Sequence, residues 1–160
     1  MSVTTAMPTS FKAELMQALH NFTITSGNDF RVALMIAATT GVHDATQTNY
    51  GSGTGSPTVA NLGTDELATA GGYTQGGYDI TVGNNITPLT SGTTAYTTPG
   101  INPSWTSATF STSGCLMYNF TNGTRAVYVG SFGGTQTVTA GTFTILMPTN
   151  AVGTALLRIA

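Results

Sequence analysis

Two periodicities run along this chain. Near its start, Phe11, Leu15, Ala18, Leu19 and Phe22 recur at spacings close to three and four, with Lys12 and Glu14 on the other side. That spacing is one face of an α-helix of about three turns, and Thr9 or Ser10 can cap it. Beyond the helix the period shortens to two or gives way to short apolar runs. Residues 30–37, bounded by the turn signal Asn28-Asp29, are too short and too uniformly apolar for a surface helix. They predict a buried strand, with Arg31 pointing outward near its start. Tyr78, Ile80 and Val82 alternate with Asp79 and Thr81, the pattern of a half-buried strand. Residues 105–111 alternate weakly around Trp105 and Phe110, and runs at 116–120, 126–129, 135–139, 142–147 and 155–159 supply the remaining strands. Asn122-Gly123 between two β-rich runs predicts a type I′ hairpin. Gly133-Gly134, Ala140-Gly141 and residues 148–153 read as separators between the later strands.

The pattern as a whole predicts a mostly-β fold. It is a β-sandwich or jelly-roll-like barrel of about seven to eight short strands, with one N-terminal α-helix. Residues 1–9, interrupted by Pro8, are expected as a flexible N-terminal arm, and residues 10–160 as a single β-rich domain. Two polar stretches, 39–59 and 83–103, carry Gly and Pro in place of apolar spacing and are expected as loops. The segment Gly71-Gly72-Tyr73-Thr74-Gln75-Gly76-Gly77 precedes a strand and opens no helix. It is therefore read as backbone geometry and not as a dinucleotide fingerprint.

Charge changes the picture more than any motif. The chain has 160 residues, of which 40% are hydrophobic, enough for one core, but only 6% are charged. Ordinary soluble domains carry about 25%. No charged residue occurs between Ile80 and Thr124, where Thr, Ser, Asn and Gly stand instead. Short hydroxyl side chains suit an exposed β-surface, which is one explanation. The other is that much of the surface is covered by other subunits, because charges are costly to desolvate and are depleted at interface cores. A net charge of −2 is also small for a freely soluble monomer. Four scattered basic residues, Lys12, Arg31, Arg125 and Arg158, cannot supply the clustered cations that nucleic acid requires. No run reaches the ~18 apolar residues of a membrane span. The first residues lack the basic and apolar regions of a secretory signal, so synthesis and folding in a cytoplasm are expected.

The search for chemistry finds little. Cys115, the only cysteine, lies in the apolar run Gly114-Cys115-Leu116-Met117-Tyr118 and reads as a small buried hydrophobe. His20 reads as a cation closing the helix, and His43 lies in the 39–59 loop. No Gly-x-Ser-x-Gly elbow accompanies them. Asp65 and Glu66 follow Thr64 as the first turn of a helix would, and nothing marks a carboxylate pair held across a cleft. Neither a calcium loop nor a phosphate loop is present, so no cofactor and no metal are expected. Core packing accounts for Trp105, Phe110, Tyr118 and Tyr128. Tyr50, Tyr73 and Tyr96, in Gly-rich and Thr-rich stretches, are the candidate interface residues, together with Met7 of the arm. The same aromatics could line a sugar-binding face.

The chain resembles a group of small tailed-bacteriophage virion proteins found among head and tail structural genes. The resemblance lies in the opening helix from Phe11-Lys12 to Asn21, the strand Phe30-Arg31-Val32-Ala33-Leu34-Met35, and Thr64-Asp65-Glu66-Leu67 followed by the Gly71-to-Gly77 segment. It continues through Trp105-Thr106, the apolar strand into Tyr118-Asn119, and Ala140-Gly141-Thr142-Phe143-Thr144-Ile145. The stretches 39–59 and 83–103 depart from it as insertions. The resemblance implies a non-catalytic β-sandwich or jelly-roll virion component, assembled in the host bacterial cytoplasm. The expected function is a capsid decoration (cement) protein. Its partners would be the major capsid protein and copies of itself in a homo-oligomer, without nucleic acid or membrane. A tail, neck or fibre component is the first alternative, and a carbohydrate-binding or adhesion module the second.

Overall fold

The computed structural model describes residues 2–23, 25–51, 53–81, 87–99 and 101–160. Met1 of the expected arm, Val82 of the expected strand, and residues 83–86 and 100 of the second polar stretch lie outside the described residues. The elements are α1 (Thr9–Met16), β1 (Phe30–Ile36), a 3₁₀ turn (Gly63–Asp65), β2 (Tyr78–Asp79), β3 (Leu89–Ser91), β4 (Thr94–Thr97), β5 (Ser104–Asn119), β6 (Arg125–Thr144) and β7 (Leu157–Ile159). The fold is mostly β, with two antiparallel sheets and the character of a β-sandwich. Among the described residues one sheet has the order β2-β1-β5-β6 and the other β3-β4-β7.

β1 is apolar apart from Arg31 because both its faces are covered. Phe30, Val32 and Leu34 enter the larger core with Phe11, Tyr73, Ile80, Trp105, Met117 and Val127. Ala33 and Met35 face the other way, into a second cluster with Tyr50, Leu62, Leu116, Tyr118 and Val129. The polar 39–59 stretch supplies Tyr50 to that second face, so it is part of the cover of the sheet. Arg31 turns outward, and its guanidinium lies 3.6 Å from the centre of the Phe120 ring.

The later strands are fewer and longer than the pattern predicts. β5 has 16 residues and β6 has 20. Two of the expected separators, Gly133-Gly134 and Ala140-Gly141, are irregularities within β6 and not turns between strands, while residues 148–153 do separate β6 from β7. Residues 132–135 of β6 stand opposite Ser113 alone, with φ of +74° at Gly133 and +152° at Gly134. Ala140 (φ +48°) and, on β5, Ser107 (φ +52°) mark two further register shifts. Extra residues of this kind bend and twist a strand without ending it.

The hairpin expected at Asn122-Gly123 forms, but through a five-residue connection between Asn119 and Arg125. Positive φ falls on Gly123 and Thr124, one residue later than a type I′ turn requires. Tertiary contacts override the local preference. Asn122 donates its amide to Asn119 Oδ1 (3.0 Å) and its side chain to the Leu19 carbonyl (2.7 Å), and Asn49 donates to the Gly123 carbonyl (2.7 Å).

The helix is also shorter than predicted. It stops at Met16 because Leu19 N–H returns to the Glu14 carbonyl (3.0 Å) and Ala18 N–H to that of Leu15 (3.1 Å), with Ala18 left-handed at φ +56°. This is a Schellman termination with alanine where glycine is usual. Pro8 holds the N-cap position, and neither Thr9 nor Ser10 caps.

Two further expectations are corrected. Residues 2–9 are laid against the domain and do not stand free as an arm. Val3 pairs with His43 and Ala6 with Val129, on the outer edge of β6. Room for Val3 exists because Gly114 has no side chain; a Cβ there would lie 2.7 Å from the Val3 methyl. The 83–103 stretch contains the β3–β4 hairpin, which pairs with β7 to make the second sheet.

Candidate interaction surface

Glu14, Asp65, Glu66 and both histidines lie in three buried clusters. In the first, Asp65 accepts Thr40 N–H (2.8 Å) and Thr40 O–H (3.0 Å) on Oδ1, and Gly41 N–H (2.7 Å) and His43 Nε2 (2.8 Å) on Oδ2. Burial pushes this carboxyl up, but those donors outweigh it and hold it below its usual range. Asp65 and His43 are both fully buried.

In the second cluster, Glu66 accepts the hydroxyls of Tyr50 (2.6 Å) and Tyr73 (2.9 Å) and the Gly76 amide (2.7 Å). Tyr73 O–H in turn accepts Leu34 N–H at 3.0 Å, which ties the cluster to β1. Tyr50 stacks on Tyr118 with ring centres 4.3 Å apart. Burial, then the Glu66 carboxylate, drives both hydroxyls of Tyr50 and Tyr73 far above the ordinary tyrosine range. The glycines flanking Tyr73 make this insertion possible. Gly71, Gly72, Gly76 and Gly77 all have positive φ, and a Cβ on Gly77 would stand 2.1 Å from the Val32 carbonyl oxygen.

The third cluster joins Glu14 of α1 to Arg125 (2.9 Å) and His20 (2.8 Å). His20 does not cap the helix, as sequence position suggests. It is buried beyond the helix end, and burial lowers its pKa despite Glu14 beside it. Cys115 is buried as expected, its thiol pushed up to about 12 by burial.

The four candidate interface residues therefore divide. Tyr50 and Tyr73 are 8% and 2% exposed and belong to the core, so they are withdrawn as contacts. Met7 and Tyr96 come together in one apolar cleft between α1 and the β4–β7 pair, with a volume of about 120 Å³. Phe11, Leu15 and Phe22 form its helix side, and Ala95 and Leu157 its sheet side. Ile159 and Arg158 stand at the exposed end of β7, and Ile159 is 58% exposed. Sequence reasoning placed Phe11, Leu15 and Phe22 on one helical face and a strand at 155–159, but had no signal that brings Leu157 and Ile159 to the helix. Their role depends on a pairing with β4 some sixty residues away, roughly the distance from Thr97 to Leu157.

The other exposed feature is the ribbon formed by the outer halves of β5 and β6. From Ala126 to Leu157 the chain has no charged residue. β6 is an edge strand, and most of its residues beyond Phe132 are exposed. Hydroxyl pairs cross it at Ser104–Thr144 (2.9 Å) and Ser111–Thr137 (2.8 Å). Edge strands of free proteins are usually guarded by charges, and here only bulges do so. Among the described residues no group of acids, histidines and cysteine is arranged to hold a metal ion, and no helix is long and apolar enough to cross a membrane. Comparison with family models, curated proteins and solved structures finds no match to this chain.

Proposed function

We propose that this chain is a non-catalytic virion structural subunit, a capsid decoration (cement) protein that binds the capsid shell beside copies of itself. One observation carries the non-catalytic half. Its buried acids and both histidines are bonded internally, while the surface offers an apolar cleft and a charge-free ribbon. Such surfaces suit subunit contacts, where desolvating charge is costly. The assignment to a virion, and to the major capsid protein as partner, rests on the resemblance of the opening helix, first strand and Gly71-to-Gly77 segment to tailed-phage structural proteins.

The test is location and stoichiometry in purified particles. Hundreds of copies on tail-less heads are expected. Six to a few dozen copies, found only in tails, would replace decoration by a tail or neck role. A glycan array giving saturable binding that is lost on Tyr96→Ala would favour an adhesion module instead.

A further inference from the structure

The two histidines are buried alike but hydrogen-bonded in opposite senses. His20 Nδ1 faces the side-chain amide nitrogen of Asn119 (3.2 Å), and His20 Nε2 faces Glu14 Oε2 (2.8 Å). The Asn119 amide cannot be turned round, because its Oδ1 accepts Asn122 N–H (3.0 Å) and its Nδ2 donates to Asn28 Oδ1 (2.9 Å). His20 therefore has one donor and one acceptor to satisfy, which the neutral ring protonated on Nε2 does.

His43 meets an acceptor on both sides. Its Nε2 faces Asp65 Oδ2 (2.8 Å), and its Nδ1 faces Gln47 Oε1 (3.0 Å). The Gln47 amide is fixed as well, since its nitrogen donates to the Asn49 carbonyl (2.7 Å). Asp65 is set up as a carboxylate, because its two oxygens already take the backbone N–H groups of Thr40 and Gly41 and the Thr40 hydroxyl. Gly41 lets the pair close up: a Cβ there would lie 3.1 Å from Asp65 Oδ2 and 3.3 Å from His43 Nε2. Asp44, next along the chain, turns its carboxylate to the amide and hydroxyl of Thr46 (2.8 and 2.7 Å).

We infer that His43 is held as the doubly protonated imidazolium, paired in the interior with the Asp65 carboxylate, and that this ion pair latches the N-terminal segment to the domain. The second part follows from the backbone of the same residue. His43 N–H donates to the Ser2 carbonyl (3.1 Å), and its carbonyl accepts Thr4 N–H (2.9 Å). Wherever the ion pair fixes His43, residues 2–4 are fixed too. Breaking one side of a buried pair leaves an uncompensated charge, so the latch releases as a unit. This ion pair stands or falls independently of the virion reading.

Nitrogen NMR of the intact protein, labelled at histidine and recorded at pH 7.5, tests the first part, because a free imidazole is mostly neutral there. Two N–H signals are expected for His43, and one for His20 as the internal control. A single ring proton on His43 overturns the inference. Amide hydrogen exchange tests the latch. Asp65→Asn is expected to speed exchange at Thr4 by roughly ten- to a hundredfold, with β1 and β5 amides unchanged. Should Asp65→Asn fail to fold, Gln47→Ala removes the partner on the other ring nitrogen and is expected to act on Thr4 in the same way. Unchanged exchange at Thr4 in the folded variant overturns the latch.

Discussion

At the scale of single residues, the molecule is decided by where short polar side chains find partners. Ala18 shows the cost of a local compromise. It is exposed and left-handed at φ +56°, a conformation that costs a residue with a Cβ about 1–2 kcal/mol. Ala18→Gly is therefore expected to stabilise the protein by about 1 kcal/mol in urea unfolding, since the helix end keeps its geometry and loses the strain. His20 gives the second prediction. Its folded-state pKa lies below the ordinary value, because burial disfavours the charged ring. The unfolded chain then binds the extra proton first. The stability His20 confers is complete above about pH 6.5 and declines as pH falls below it. Measured as ΔG of unfolding, the gap between wild type and His20→Asn should narrow from pH 7.5 to pH 5. None of this was legible at the residues concerned. Thr64-Asp65-Glu66 reads as a helix start, and its real partners lie 22 to 25 residues away for Asp65 and 16 for the Tyr50 contact of Glu66. Local pattern holds no record of such pairings.

At the scale of elements, the sequence was most informative where periodicity was strong. β1, the short β7 and the presence of a 120–124 hairpin could all be read from apolar runs and one turn signal. The glycines misled. Gly133-Gly134 and Ala140-Gly141 have the composition of turns, yet they lie within β6, because a bulge and a turn ask for the same positive φ. What separates them is whether the partner strand continues opposite, and that is a tertiary fact. Close approach distinguishes glycines in the same way. Gly77→Ala would drive a Cβ to 2.1 Å from the Val32 carbonyl oxygen, while the space around Gly92, also at positive φ, is open. Gly77→Ala is expected to cost at least about 3 kcal/mol, against about 1–2 kcal/mol for Gly92→Ala. Thermal unfolding of the two variants side by side checks the contrast.

At the scale of the whole molecule, charge depletion was the legible feature, and its placement was not. The 39–59 stretch, expected as a loop, sends Tyr50 onto the second face of the sheet while residues 54–56 and 58–59 stay exposed. The 83–103 stretch supplies two of the three strands of the second sheet. Among the exposed features are the cleft at Met7 and Tyr96 and the ribbon of β5 and β6. Ile159→Asp places a charge at the exposed end of that cleft, on a side chain already 58% exposed. The melting temperature is expected to stay within about 2 °C, because surface changes of this kind cost little, while incorporation into particles falls at least tenfold, read as copies per particle on a gel.

The positions of the few cations also decide how the chain meets a protease. Trypsin cuts after Lys and Arg, and residues 32–124 contain neither. The two sites that bound this stretch are both engaged, Arg31 over the Phe120 ring and Arg125 on Glu14. Cleavage there must wait for those contacts to open, so it reports the opening of the sheet itself. Limited digestion should trim the exposed sites at Lys12 and Arg158 first and leave residues 13–158 as one resistant piece. When that piece is cut at last, it should vanish in a single step with no smaller folded remnant.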